Sequence, residues 1–138
     1  MRILSIALML LFSLTAFAQT MEEANDLYAQ RGKDASFAQQ AAEMYLTLSE
    51  GTEDKLLKAT YLNEASNALY YVASQATSNN DKKRIHTEGF NKASVAISLL
   101  RGTTVEAEKV QLALGLYRYG ANLGKWGEAN GVASSLSK

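Results

Sequence analysis

Residues 53–77 read EDKLLKATYLNEASNALYYVASQAT, and the fold class turns on the spacing of the apolar residues within them. Leu62, Ala65, Leu69, Val72 and Ala76 follow intervals of three, four, three and four. On a 3.6-residue helix they share one face, whereas a strand would scatter them over two. The spacing predicts a helix from Glu53 to Thr77, roughly 37 Å long at 1.5 Å per residue. Thr52 is the expected N-cap, Glu53 and Asp54 place negative charge where the helix dipole favours it, and Gly51 closes the helix before.

The same alternation runs outward from this segment in both directions. Downstream, Ile85, Gly89, Ala93, Ala96, Ile97 and Leu100 make one stripe, entered through Asn79-Asn80-Asp81 and closed by Gly102. Thr103 and Glu106 have the spacing of a capping box, and Ala107, Val110, Leu114, Tyr117 and Ala121 form the expected inner face of the helix it opens. Gly120 and Gly124 are expected to weaken that helix, leaving Trp126 to Leu136 as a short sixth one. Upstream, Ala24, Leu27 and Tyr28 mark a first helix ending near Gly32. Phe37, Ala41, Met44 and Leu48 mark a second, opened at Asp34 or Ser36. Six helices joined by a few residues each must pack as antiparallel neighbours, so the expectation is an all-α fold of three helical hairpins, a superhelix or a bundle.

Composition points the same way. The chain of 138 residues has no proline, where average usage of about 5% would give about seven, so nothing interrupts long helices. It has no cysteine either, which excludes disulfides and thiolate-bound metal sites and leaves packing to hold the fold. Arg2, the apolar run Ile3 to Leu14 and the small residues of Ala16-Phe17-Ala18 have the form of a secretory leader cut after Ala18. An apolar run of about a dozen residues is short of the roughly 20 that span a bilayer, so no stable membrane anchor is expected. The remaining chain, residues 19–138, is the size of one domain and near neutral, with no field to draw nucleic acid. A periplasmic or secreted location follows.

Reactive groups are few. His86 is the sole histidine and, behind Lys82-Lys83-Arg84, is expected on an exposed turn with no base or metal role. Gly120 to Lys125 lacks the glycine spacing and the Ser or Thr of a phosphate loop. The acidic pairs Glu22/Glu23 and Glu53/Asp54 sit where helix starts favour negative charge. No catalytic residue, metal ligand or cofactor is expected, and the chain is not read as an enzyme. The aromatic residues are more distinctive. Seven tyrosines and Trp126 outnumber the two phenylalanines outside the leader, Phe37 and Phe90. Rings with a polar handle suit surfaces apolar on one side and hydrogen-bonded on the other. Tyr70, Tyr71, Tyr117, Tyr119, Asn122 and Trp126 are therefore the candidate binding residues.

The hairpin from Glu22 to Glu50, with Leu27-Tyr28, Ala41 and Tyr45, has the small-residue pattern of a tetratricopeptide unit. The stretch Leu116-Tyr117-Arg118-Tyr119-Gly120-Ala121-Asn122-Leu123-Gly124-Lys125-Trp126 resembles the helix-ending segment of the tetratricopeptide-like periplasmic T-component of TRAP transporters. That resemblance implies an all-α periplasmic helper protein that binds a partner such as a substrate-binding protein, or small ligands. The expectation is an exported adaptor, with a carrier of a small apolar ligand between helices as its alternative.

Overall fold

The computed structural model describes residues 20–131, and the chain there is helical with short connections. The leader expected over residues 1–18, with its cleavage point, and the final part of the expected sixth helix lie outside the described residues. Helix α1 spans Met21–Ala29, α2 Ser36–Glu50, α3 Lys55–Gln75, α4 Asn79–Leu100 and α5 Glu106–Ala129.

Side chains set most of these starts. Thr20 caps α1 by accepting from the Glu23 N–H, and the Glu23 carboxylate accepts from the Thr20 N–H in return, a complete capping box. The Ser36 N–H donates to Asp34 Oδ1 at the entry to α2. Ser78 accepts from the Asp81 N–H and opens α4. Gly102, at φ 77°, takes the left-handed conformation that ends α4.

Four sequence expectations are corrected. The cap of α3 is Asp54, which accepts from the Leu57 N–H at 2.9 Å, while Thr52, two residues before it, accepts from the Asp54 N–H. The capping box at Thr103 and Glu106 does not form. Helix α5 starts behind Val105 with no side-chain cap, Glu106 pairs with Lys109, and Thr103 donates to Glu108. Helix α5 runs unbroken through Gly120 and Gly124, whose Cα hydrogens face open space. Trp126 therefore belongs to α5 rather than to a sixth helix, and five helices stand among the described residues.

The fourth correction concerns which face of α5 turns inward. Helix α5 packs on α4 and also on α3, and its buried residues are Glu108, Gly115 and Asn122. The expected inner stripe instead faces out, with Val110 59% and Tyr117 65% exposed, Ala107 exposed, and Leu114 and Ala121 only half-buried. Polarity misled the reading. Glu108 pairs with Lys55 at 3.1 Å, and Asn63 Nδ2 donates to the Gln111 carbonyl at 2.9 Å and to Gln111 Oε1 at 3.0 Å. A polar group can be buried at low cost once it has such partners. Gly115 completes that face, since a Cβ there would lie 3.1 Å from Ile97 and 3.2 Å from Asn63 Oδ1.

Elsewhere the stripes turn inward, although Val72, Ala76 and Ile97 are only half-buried and Ala76 lies just past the end of α3. Leu62, Ala65 and Leu69 of α3 and Ile85, Gly89, Ala93, Ala96 and Leu100 of α4 are buried. Alanines dominate the interior (Ala24, Ala41, Ala42, Ala65, Ala68 and Ala73 in one cluster, Ala59 and Ala96 in another). Small residues let helix axes approach closely, and tight packing rather than side-chain bulk fills the space. Tyr45 is the large exception. Its hydroxyl donates to Asn25 at 2.6 Å, and burial first, then the charge of Glu64, pushes its pKa up to about 12.

Candidate functional site: an arginine and tyrosine groove

The end of α1 with the turn after it, the later half of α3 and the C-terminal half of α5 meet around a groove of about 330 Å³. Tyr28 and Arg31 come from the first, Asn67, Tyr70 and Tyr71 from the second, and Tyr117, Arg118, Ala121 and Asn122 from the third. Tyr28 and Tyr71 meet edge to face at 6.5 Å. The Arg31 guanidinium lies 4.2 Å from the Tyr28 ring centre and 5.1 Å from that of Tyr71, a cation–π arrangement with both rings. Its Nη1 donates to the Tyr28 carbonyl at 2.9 Å, and the Tyr71 hydroxyl donates to its carbonyl at 3.4 Å. Arg118 lies over the Tyr117 ring at 5.4 Å.

The two arginines share an unusual state. The Nε of each is buried without a hydrogen-bond partner, and neither takes part in an ion pair among the described residues. A buried donor left unmade costs about 1–3 kcal/mol, so two in one groove require a reason. Desolvation of Tyr28 raises the pKa of its hydroxyl, and the charges of Arg31 and Arg118 act on it in the opposite sense, which places both cations in one field.

Asn122 forms the floor and is fully buried. Its Nδ2 donates to the Ser66 carbonyl at 3.2 Å, Ser66 Oγ at 3.1 Å and the Arg118 carbonyl at 3.2 Å. Carbonyl oxygens only accept, so this assignment fixes Oδ1 as the atom facing His86 Nδ1 at 2.9 Å, and His86 carries its proton on Nδ1. Gly89 makes room for the amide, since a Cβ there would sit 2.5 Å from Asn122 Oδ1. Hence His86 is not the exposed residue its basic neighbours suggested. It is buried between α4 and α5 and packs edge to face on Tyr70 at 5.5 Å. Burial lowers its pKa, with Lys125 and Lys82 adding to the effect against the Asn122 hydrogen bond and Glu128.

His86 also borders a second cavity of about 320 Å³, on the other side of Tyr70, with Lys82, Lys125 and Glu128 at its rim. Lys125 and Glu128 pair at 2.7 Å. The hydrogen-bond partner of the imidazole is an amide and not a carboxylate, and burial outweighs the groups that raise its basicity. No group of three or more metal-ligating side chains exists among the described residues.

Of the six residues singled out from sequence, Tyr70, Tyr71, Tyr117 and Asn122 line the groove. Tyr119 packs instead on Phe90 at 5.8 Å, and Trp126 is half-buried further along α5, outside both cavities. Tyr28, Arg31, Asn67 and Arg118 were missed. Arg118 follows Tyr117 directly and Arg31 lies three residues after Tyr28, so an arginine beside a tyrosine was the available signal. Compared with family models, with curated proteins and with solved structures, the chain matches none.

Proposed function

We propose that this chain is an exported helical adaptor that docks a protein partner along α5 and carries no catalytic activity. The observation that carries the reading is the outward apolar stripe of Val110, Leu114, Tyr117 and Ala121, which borders the groove through its last two members. The other long helices bury their stripes; this one is left for another molecule. The contact of α5 with α3 as well as with α4 fits the stacking of tetratricopeptide-like hairpins. The leader-like start and the segment Leu116 to Trp126 favour a periplasmic setting and a partner such as a substrate-binding protein. Arg31, Arg118, Lys82, Lys125 and Glu128 along the two cavities favour this reading over a carrier of an apolar ligand, because apolar bodies gain nothing from charged walls. Among the described residues no helix is long and apolar enough to cross a membrane.

Two variants test the docking face. Val110→Asp and Tyr117→Asp should keep the helical spectrum and lose a partner that the wild type retains when the two are reconstituted from purified components. A partner held equally by both variants would place docking elsewhere, and a wild type that sediments as a dimer broken by Val110→Asp would make the partner a second copy of this chain.

A further inference from the structure

We propose that the groove between α1, α3 and α5 is a carboxylate-binding site in which Arg31 and Arg118 receive the anion and the tyrosines receive the apolar body that bears it. The inference rests on the adaptor reading only in placing the site beside the docking face; the site can be present without a protein partner.

Arg31 spends Nη1 on the Tyr28 carbonyl, while its Nε is left without a partner. With Nε buried and Nη1 bonded to the Tyr28 carbonyl, Nη2 is the nitrogen of Arg31 left to meet a carboxylate oxygen in the groove that Arg31 lines. Arg118 adds a second guanidinium with an unpartnered Nε. Glu64 is the acidic residue whose charge reaches the Tyr28 hydroxyl, against two cations, so the groove keeps a positive excess. A cavity of about 330 Å³ is at the small end of ligand sites, enough for one side chain or a small organic acid. The groove lies beside the later half of α3 and the later part of α5, away from any helix N-terminus. It therefore lacks the converging backbone N–H groups that favour a tetrahedral phosphate. A groove lined by tyrosine rings and two guanidinium groups suits a carboxylate on an aromatic or aliphatic body.

The test is calorimetric titration of the whole protein with N-acetyl-phenylalanine and with its neutral amide, at low and at high salt. The acid should bind about tenfold or more tighter than the amide, and the difference should shrink in high salt as the charges are screened. Arg118→Gln should abolish the preference for the acid. Tyr117→Ala, which leaves both cations in place, should weaken acid and amide alike, and it keeps the idea testable if an arginine variant fails to fold. A short peptide ending in phenylalanine with a free carboxylate distinguishes the sources: tighter binding than the single residue assigns the site to a protein terminus, and equal binding assigns it to a free acid, both in keeping with the proposal. Equal affinity for acid and amide, no binding of either, inorganic phosphate competing as well as the acid, or a preference retained by Arg118→Gln would overturn it.

Discussion

Asn122 joins three helices through four hydrogen bonds, to Ser66 on α3, His86 on α4 and the Arg118 carbonyl of its own helix. Asn122→Leu keeps the branching of the side chain but strands the buried His86 N–H, at about 1–3 kcal/mol for the unmet group. Urea unfolding should register a loss of that size. Gly89→Ala drives a methyl group against the same amide and should cost about 1–3 kcal/mol by overpacking. In combination with Asn122→Ala the two changes should cost clearly less than their sum, because the clash disappears with the amide. His86 supplies a pH dependence. Its ordinary pKa of 6.5 is lowered in the fold, chiefly by burial and further by Lys125 and Lys82, against Asn122 and Glu128, with Tyr70 covering the ring from α3. The unfolded chain takes up this proton first, so stability should fall as pH drops below about 6.5 and stop falling once the folded ring also protonates. Imidazole titration followed by NMR checks the sign; a folded value at or above 6.5 would refute it. At this scale Asn122 stood out in the sequence within its aromatic surroundings. His86 did not, because the three basic residues before it suggested a wet turn and nothing in the order of residues shows that Gly89 opens a slot opposite.

Among the elements, α3 and α4 were legible and α5 was not. Leu62, Ala65 and Leu69 are buried as their spacing requires, since an apolar stripe against apolar neighbours is the arrangement that periodicity detects. Helix α5 carries an equally regular stripe, but its buried face is Glu108, Gly115 and Asn122, each held by hydrogen bonds or close backbone approach that a single strand of sequence does not display. Alanine substitution separates the two cases. Leu69, 2% exposed, should cost about 2–5 kcal/mol on change to alanine, whereas half-buried Leu114, expected from sequence to belong to the core, should cost about 1 kcal/mol or less. Costs in the reverse order would show that α5 is rotated about its axis. The caps divide in the same way. Thr20 with Glu23 follows the local pattern, whereas Thr103 is drawn instead to Glu108, which Lys55 of α3 holds at the interface.

For the molecule as a whole, composition and spacing sufficed for the all-α class, and the loops are short enough to impose antiparallel neighbours. What they did not convey is how the first turn, α3 and α5 enclose a groove, because Arg31 and Arg118 are 87 positions apart and only packing brings them into one field. The functional reading depends on α5 presenting apolar side chains to the outside while it anchors itself through polar ones. The most direct measurement is the unfolding free energy of Val110→Asp in urea. An outward Val110 predicts a change within about 0.5 kcal/mol, the range of an ordinary surface substitution; a loss above about 2 kcal/mol, the mark of a charge forced into the interior, would contradict the orientation of α5 and the docking face with it.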